Sequence, residues 1–289
     1  MALYLVTGAA GFIGSKVSEC LLTDGHQVMG LDNLSDAYDV RLKQWRLERL
    51  RNNANFVFFQ EDICNLKMMQ TFCSQQGDIS GVFNLAARAG VRASVENPWA
   101  FVDTNVTGTL NMLEMCRRFA IPKLVLASTS SLYGADAPIP TTEDADSSHP
   151  LQPYAASKKG AEALCHSYHF LYDIDVTVFR YFTVYGPAGR PDMVMFRFCQ
   201  WIAEGRPVRL NGDGEQSRGF TYVDDIARGT ILGLKPIGFE IINLGGHEVI
   251  TINRMISILE DLIGRKAQVE YLPYQKADML TNHANGAAT

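Results

Sequence analysis

The chain has 289 residues, of which 47% are hydrophobic and 20% are charged, and its formal net charge is −5. This length and composition predict a globular protein with a sizeable core, built as one large domain or as one domain with a smaller lobe. The net negative charge gives no overall basic field, so we predict no nucleic acid partner. No apolar run approaches the roughly 20 residues that cross a bilayer, and the N-terminus has no signal-peptide pattern, so we predict no membrane partner.

The six cysteines are scattered along the sequence, without a Cys-x-x-Cys pair or a metal-ligand spacing. Isolated thiols of this kind are typical of reduced proteins, which predicts a cytoplasmic location. The six histidines give no metal-ligand spacing either. We therefore predict that the protein has no metal site.

Short β-rich runs alternate with helix-like runs over roughly the first 180 residues. Continuous apolar strands that alternate with helices predict an α/β fold, a Rossmann-like doubly wound parallel sheet with helices on both faces. Such a sheet binds its ligands at the carboxyl ends of its strands. The predicted strands are 3–6, 27–31, 56–60, 81–85, 123–127 and 176–180, and helices are predicted at 13–24, 107–119 and 155–171.

Beyond residue 180 the pattern changes, because glycine and proline break the chain into short elements. We predict a main domain over 1–180 that holds the dinucleotide described below. A smaller mixed C-terminal lobe over 181–289 is predicted to cover the substrate. Within that lobe, 220–245 is the candidate segment for a return to the main domain.

A glycine-rich turn follows the first strand and opens the first helix, which is the context that a dinucleotide-binding fingerprint requires. Gly8, Gly11 and Gly14 have the spacing G-x-x-G-x-x-G. Glycine lets the backbone approach a pyrophosphate, and the helix N-terminus favours its negative charge. Asp32 ends the second strand, where a carboxylate binds ribose hydroxyls and repels a 2′-phosphate, so we predict NAD. Asp62, after the third strand, is predicted either to hold the adenine edge or to act as a turn acid or helix cap.

Tyr154 and Lys158 lie four residues apart in a predicted helix, so their side chains share one face. A lysine ammonium beside a tyrosine hydroxyl favours the phenolate and lowers the tyrosine pKa from about 10. Such a phenol can take a proton from a sugar hydroxyl, which lets the carbon release hydride to a nicotinamide. The pair therefore predicts hydride chemistry on an alcohol.

Six motifs resemble, in order and spacing, those of the extended short-chain dehydrogenase/reductase family, and in particular its nucleotide-sugar epimerases. The motifs lie at 7–14, 85–87, 105–109, 127–134, 154–158 and 180–187. By this resemblance Tyr154 is the general base and acid, and Lys158 also binds the nicotinamide ribose. Thr129 matches the Ser/Thr that hydrogen-bonds the reacting 4-hydroxyl. The resemblance also implies a homodimer, formed by the helices near 107–119 and 154–171.

The resemblance extends to further cofactor contacts around these motifs. Asn105 is similar to the family asparagine beside the cofactor, and it would also suit a helix N-cap. The complete set of predicted cofactor residues is Gly8, Gly11, Phe12, Ile13, Gly14, Asp32, Asn33, Asp62, Ile63, Leu85, Ala86, Ala87, Asn105, Tyr154, Lys158 and Tyr181.

Ser130 and Ser131 distinguish this chain from two sister classes of enzyme. At these positions the 4,6-dehydratases carry Asp-Glu and the UDP-glucuronate decarboxylases typically carry Ser-Glu, so the acid of each class is missing here. Without that acid, the remaining chemistry is oxidation, rotation of the ketone and return of hydride to its other face. The resemblance therefore implies an isomerase, a 4-epimerase that regenerates NAD in each turnover.

The identity of the sugar is predicted from the segment after residue 180. Thr183 stands where most epimerases have Asn, and together with 189–193 it resembles UDP-glucuronate 4-epimerases. The carboxylate of a uronate needs donors, preferably charged ones. Thr183 and Arg190 are the candidates, assisted by Ser128 or Ser130. In the alternative interpretation, Arg190 binds a phosphate or a surface acid and Thr183 packs in the core.

Three further residues are candidates for the nucleotide end of the substrate. Arg218 resembles the arginine that binds the UDP diphosphate, although Gly219 replaces the usual Asp. Arg88 would reach the sugar carboxylate or the pyrophosphate, or form a surface ion pair, and Asp278 resembles an acid that contacts the nucleotide. Two other functions stay open: a UDP-glucose/UDP-galactose or related 4-epimerase, and a scaffold that binds NAD without turnover.

Overall fold

A computed structural model of the protein describes residues 1–74, 77–135, 137–246, 248–274 and 281–284. The strands in these ranges are β1 (Leu3–Thr7), β2 (Gln27–Leu31), β3 (Phe56–Phe59), β4 (Gly81–Asn84), β5 (Lys123–Thr129), β6 (Asp175–Tyr181), β7 (Thr183–Tyr185), β8 (Val208–Asn211), β9 (Ser217–Tyr222), β10 (Phe239–Leu244), β11 (Val249–Thr251), β12 (Val269–Leu272) and β13 (Thr281–Asn282).

Seven of these strands form one parallel sheet in the order β10-β6-β5-β4-β1-β2-β3. The direction of winding reverses between β1 and β4, and folds of this kind bind ligands at that switch point. Every residue of β4 and β5 is buried, as expected for strands covered on both faces. The predicted Rossmann-like doubly wound sheet is therefore confirmed.

Helices cover both faces of this sheet, and each face has its own apolar core. One core includes Met69, Met112 and Cys165, and the other includes Val17 and Leu47. Across the described ranges, no helix combines the length and apolar character that a bilayer crossing requires. The helices are α1 (Phe12–Thr23), α2 (Val40–Arg51), α3 (Leu66–Ser74), α4 (Val91–Glu96), α5 (Pro98–Val102), α6 (Gly108–Arg118), α7 (Pro153–Tyr172), α8 (Val194–Glu204), α9 (Val223–Leu232) and α10 (Ile252–Ile263).

The predicted elements of the main sheet all occur, and β2 has the predicted bounds. The predicted helix at 107–119 differs, because a π-helical turn (Asp103–Thr107) joins α5 to α6. A short 3₁₀ turn (Ser130–Tyr133) follows β5 directly. Both irregular turns lie next to residues that the sequence assigns to the site.

The smaller sheet is mixed, because β9 pairs antiparallel with β11 and parallel with β7 and β13. Separately, β8 pairs with β12. Helices α8 and α10 pack on these strands through a third apolar core that contains Phe198, Trp201 and Ile256. By contrast, β10 pairs with β6 at the edge of the main sheet, and α9 packs on α1. The division of the chain at residue 180 stays a prediction.

Candidate functional site

The turn between β1 and α1 has no room for side chains at its glycines. Gly8 adopts a left-handed φ of 69°, and a Cβ there would lie 2.8 Å from Ala86 N. A Cβ at Gly14 would lie 2.1 Å from the carbonyl oxygen of Gly8. Among the described residues, no side chain caps α1 at Gly11, so the first amides of the helix are available to an anion. This cradle fits the pyrophosphate of a dinucleotide.

Asp32, at the end of β2, is held beside this turn by three donors. Its Oδ2 accepts from Ala10 N at 3.2 Å and its Oδ1 from Leu34 N at 2.8 Å. Lys43 Nζ lies 3.5 Å from Oδ1, and both side chains are 7% exposed. Burial lowers the pKa of Lys43, although the charge of Asp32 opposes this shift. The carboxylate therefore has a fixed position next to the glycine turn, as a ribose-binding acid requires.

A cavity continues from Asp32 along the carboxyl ends of the neighbouring strands. Asn33 Nδ2 donates to Asp62 Oδ2 at 2.8 Å inside it. Although burial opposes the shift, hydrogen bonds from Cys64 and Asn33 hold the pKa of Asp62 below its usual value. The predicted residues in its lining are Asp32, Asn33, Asp62, Ile63, Ala86, Ala87 and Arg88, and sequence reasoning missed Leu31, Ser35, Glu61 and Thr104.

Asn105 lies inside the π-helical turn, and its buried side chain joins two segments of the site. Its Oδ1 accepts from Arg88 N at 2.9 Å, and its Nδ2 donates to Arg88 O at 3.0 Å. The same Nδ2 donates to Ser157 Oγ at 2.9 Å, between Tyr154 and Lys158 on α7. The helix-cap alternative is therefore wrong, because the amide instead fixes the loop after β4 to the helix of the candidate catalytic pair.

Two other predicted cofactor residues have protein partners in this structure. Leu85 N donates to Thr7 Oγ1 at 3.1 Å. Tyr181 is buried, and its hydroxyl lies 2.8 Å from Thr230 Oγ1 on α9. Their roles toward a cofactor stay predictions.

Thr129 and Tyr154 meet where β5 ends against the first turn of α7. Their hydroxyls share a hydrogen bond, and Thr129 Oγ1 also lies 3.2 Å from Ser131 Oγ. Burial raises the pKa of Tyr154, while the bond to Thr129 and the charge of Arg190 act to lower it. The pair presents two adjacent hydroxyls that can hold one alcohol oxygen.

Lys158 does not act on Tyr154 as predicted. Its Nζ donates to the carbonyl oxygen of Ala127 at 2.9 Å. Burial lowers the pKa of Lys158 from 10.5 to about 8, against the charge of Glu162. The expectation that Lys158 lowers the pKa of Tyr154 is therefore wrong for the protein alone. The charge of Arg190, which comes from a distant part of the sequence, acts instead to lower that pKa, although burial raises it overall.

The buried ammonium predicts that Lys158→Met raises the free energy of unfolding of the NAD-free protein by about 3 kcal/mol at pH 7. Below pH 8 the group is charged in both states, so its burial has its full cost. Between about pH 8 and 10.5 the folded chain has lost a proton that the unfolded chain still binds, so this cost disappears. Urea unfolding at pH 7 and pH 10 measures the effect. A variant that gains no stability at pH 7 would contradict the prediction.

Arg190 follows β7 in a segment that crosses the site. Its Nη2 donates to the carbonyl oxygen of Ala89 at 3.1 Å and lies 2.5 Å from Asp192 Oδ2. Its side chain is 23% exposed, against 46% for Asp192. The guanidinium is thus exposed enough to meet a ligand, and its charge acts to lower the pKa of Tyr154.

The other predicted substrate residues are less clearly placed. Ser128 is buried and its Oγ donates to Glu162 Oε1 at 2.5 Å, while Ser130 is buried in the 3₁₀ turn. Thr183 is half-buried on β7, and Arg218 on β9 has Nη1 at 2.7 Å from Ser217 O. Asp278 lies outside the described residues. These substrate roles stay predictions.

Sequence reasoning missed a buried ion pair close to Lys158. It joins Glu162, four residues after Lys158 on α7, to Arg180 on β6. Arg180 and Glu162 are 2% and 3% exposed. Arg180 Nε and Nη2 donate to the two Glu162 oxygens at 3.0 and 2.8 Å, and Nη1 donates to Tyr133 OH at 2.9 Å. Although burial opposes it, this bidentate bond keeps the pKa of Arg180 above its usual value. An arginine within an apolar strand was the available sequence signal.

The fold and the site together define a Rossmann-type dinucleotide-binding protein with a tyrosine and a threonine placed to act on an alcohol. A model of the NAD dependent epimerase/dehydratase family matches residues 4–245. The chain belongs to that family, as the resemblance of its motifs indicated.

Individual relatives in this family are similar over almost the whole chain. A UDP-glucuronate 4-epimerase of Thermodesulfobacterium geofontis is 58% identical over 286 residues, which are 99% of this chain and 88% of that relative. UDP-glucuronic acid 4-epimerase from Bacillus cereus, in complex with UDP-glucuronic acid and NAD, gives a TM-score of 0.90 at 38% identity, over 98% of this chain and 90% of that one. UDP-glucose 4-epimerase from Thermotoga maritima with UDP-glucose gives a TM-score of 0.90 at 32% identity, over 98% and 89%.

Proposed function

We propose that this protein is an NAD-dependent epimerase that inverts C4 of UDP-glucuronate and so interconverts it with UDP-galacturonate. The observation that carries the proposal is the partly exposed guanidinium of Arg190, which is bonded to Ala89 O beyond the carboxyl end of β4 and whose charge acts to lower the pKa of Tyr154. A cation there suits a sugar that bears a carboxylate close to its reacting hydroxyl. The similarity to UDP-glucuronate 4-epimerases supports the same substrate.

NAD is the cofactor, and the residues present fit it. The turn at Gly8, Gly11 and Gly14 would hold the pyrophosphate, Asp32 the adenosine ribose and Lys158 the nicotinamide ribose. When bound, NAD supplies a hydride acceptor that later returns the hydride to the opposite face of the same carbon. A carboxylate held at Asp32 beside the ribose disfavours the 2′-phosphate of NADP.

The proton is handled by Tyr154 and Thr129. Tyr154 takes the proton of the C4 hydroxyl as the ketone forms and gives it back when the alcohol is restored. Thr129 keeps the alcohol oxygen in line with the phenol, because its hydroxyl can donate and accept at once. The positive charge of Arg190 favours the phenolate side of this transfer, which burial alone would disfavour. Ser130 and Ser131 offer no acid for elimination.

The sugar carboxylate is assigned to Arg190. In this structure Asp192 already binds that guanidinium, so a substrate carboxylate would share it or displace Asp192. The 4-keto form of a uronate is a β-keto acid and loses CO2 readily when its carboxylate bond lies perpendicular to the carbonyl plane. A guanidinium that holds the carboxylate away from that geometry protects the intermediate.

Arg190→Met is therefore expected to lower kcat/KM for UDP-glucuronate by about 100-fold, through loss of a charge-assisted contact. Any activity on UDP-glucose should fall much less, since that sugar has no carboxylate and loses only the effect of the Arg190 charge on Tyr154. Product analysis by NMR should also detect UDP-4-keto-pentose. Arg206→Met, at an exposed arginine, is the control. An equal loss for both sugars would contradict the carboxylate role.

The function itself is tested by incubating the protein with NAD and UDP-glucuronate and following UDP-galacturonate by NMR. Preferential conversion of UDP-glucose or another neutral UDP-sugar would favour the alternative 4-epimerase. Binding of NAD without conversion of any sugar in the panel would favour a scaffold. No UDP-galacturonate after prolonged incubation would refute the proposal.

We also propose a homodimer, formed through α6 and α7 together with α5, which packs on α7. Met112 and Met115, on α6, are fully buried in the main core. Exposed apolar side chains on the neighbouring helices include Trp99 and Val102 of α5 and Phe170 of α7. Light scattering should give twice the chain mass of 32.0 kDa. A cytoplasmic location stays a prediction based on the scattered cysteines.

A further inference from the structure

Arg46, on α2, connects two separate parts of the site through one buried guanidinium. Arg46 is buried, with 3% of its surface exposed. Its Nη1 donates to Ala10 O at 2.9 Å and to Tyr38 OH at 2.7 Å. Its Nη2 donates to Ala188 O at 2.6 Å. Ala10 belongs to the glycine turn that would hold the cofactor, and Ala188 belongs to the segment that ends at Arg190.

Residues 186–190, here called the strap, pass close to the glycine turn in a strained backbone conformation. Ala188 has a left-handed φ of 53°, which is unfavourable for a residue with a Cβ and persists only where the surroundings hold it. A Cβ at Gly189 would lie 3.8 Å from Phe12 Cζ, so the segment lies against the first residue of α1. At its far end, Arg190 Nη2 donates to Ala89 O. Arg46 thus fixes the strap near its middle, two residues before Arg190.

The partners of Arg46 argue against a purely structural role on α2. All three acceptors lie outside that helix: a carbonyl of the cofactor turn, a hydroxyl before α2, and a carbonyl of the strap. The charges of Arg46 and Arg190 both act on Tyr38, so the two guanidinium groups lie near the same side chain. A small displacement of Ala188 would therefore move Arg190 relative to both Tyr154 and the sugar.

We propose that Arg46 is a positioning residue that acts through Arg190: by fixing the strap to the glycine turn, it sets where the Arg190 guanidinium meets the uronate carboxylate. The inference rests on the proposed function, because it needs a substrate with that carboxylate. It makes Arg46 a determinant of product fidelity. When Arg190 is displaced, the bond from C5 to the carboxylate can break in the 4-keto intermediate. CO2 then leaves, the electron pair of the broken bond forms the enolate, and C5 takes up a proton to give UDP-4-keto-pentose, while the hydride taken from C4 would remain on the cofactor as NADH.

The test is a double-mutant cycle of Arg46→Met and Arg190→Met, with UDP-glucuronate as substrate. Arg46→Met alone is expected to lower kcat/KM by about 30-fold and to raise the ratio of UDP-4-keto-pentose to UDP-galacturonate. In the Arg190→Met background, the same change should cost less than about threefold, because the group through which Arg46 acts is already absent. Equal losses in both backgrounds would overturn the inference.

The affinity for NAD distinguishes a displaced Arg190 from a general defect in the structure of the site, because only a general defect would lower it. Titration calorimetry should give an NAD affinity for Arg46→Met within about threefold of wild type. Arg46 donates to the carbonyl oxygen of Ala10, whereas the pyrophosphate would be bound by backbone amides. A loss of NAD affinity above about tenfold would instead place the defect in the cofactor turn and overturn the inference. Arg49→Met is the matched control on the same helix, at a side chain 57% exposed.

Arg46→Lys is a second, more conservative variant, which tests the proposal even if Arg46→Met does not fold. It keeps the charge but has one amine in place of the fork, so it cannot bridge Ala10 and Ala188 in the same way. It should show a smaller loss of kcat/KM, the same increase in UDP-4-keto-pentose and the same non-additivity with Arg190→Met. Full fidelity in Arg46→Lys would contradict the bridging role. A wild-type protein that never converts UDP-glucuronate would overturn the proposed function together with this inference.

Discussion

Replacing Tyr154 by phenylalanine is expected to lower kcat for UDP-glucuronate by about 1,000-fold, because the only group lost is the hydroxyl that moves the C4 proton. The ring would remain in place, since it packs edge-on against Phe101 with the ring centroids 6.1 Å apart. Thr129 would still bind the alcohol oxygen. NAD binding and the unfolding temperature should therefore stay close to those of wild type.

The matched control for this variant is Tyr172→Phe, which removes a tyrosine hydroxyl from the last residue of the same helix. Tyr172 is 46% exposed, so its change should alter kcat by less than about twofold. NMR time courses with both variants and wild type give the comparison. If Tyr154→Phe retains more than about a tenth of the wild-type rate, Tyr154 is not the base, because general acid–base catalysis typically accelerates a reaction by at least about 100-fold.

Arg180→Met should lower the free energy of unfolding by about 3–5 kcal/mol, the usual result of removing one partner from a buried ion pair. Glu162 would keep its charge at 3% exposure and lose both bonds from the guanidinium. Among the described residues it would keep the hydroxyl of Ser128 at 2.5 Å, the more distant Lys159 Nζ at 3.8 Å and the charge of Lys158. These contacts do not replace a bidentate partner.

Two further variants separate the ion pair from the rest of the core. Lys159→Met, at a side chain 37% exposed, should cost less than about 1 kcal/mol. The double variant Arg180→Met with Glu162→Leu should recover much of the loss, because it removes both members of the pair and leaves no unpaired carboxylate in the interior. Urea unfolding at one pH measures all four proteins. A loss below about 1 kcal/mol for Arg180→Met alone would contradict the argument.

Sequence reasoning predicted the sheet well because its signals are local. The strand at Gln27–Leu31 was predicted with its observed bounds, since an apolar run between two polar breaks can be read without knowledge of its neighbours. The π-helical turn Asp103–Thr107 could not be predicted in this way. Its hydrogen bonding changes by one residue without altering the apolar pattern.

The candidate site was predicted in part for the same reason. The glycine turn, Asp32, Thr129 and Tyr154 lie at strand ends and helix starts that the sequence locates. The cation beside Tyr154 was assigned to Lys158, its neighbour on the helix, but it is Arg190 that acts on the phenol. That pairing depends on how a segment after β7 crosses the sheet, which no local pattern encodes.

The packing of α9 on α1 has a consequence for how the chain folds. Lys16 of α1 pairs with Asp224 of α9 at 3.2 Å, and β10 adds the last strand of the main sheet beyond that helix. During synthesis, α1 is therefore made early, but more than two thirds of the chain must be made before α9 can pack on it. Closing such long loops is slow and leaves apolar surface uncovered for longer, so we expect the nascent chain to expose the α9-facing side of α1 until α9 is made.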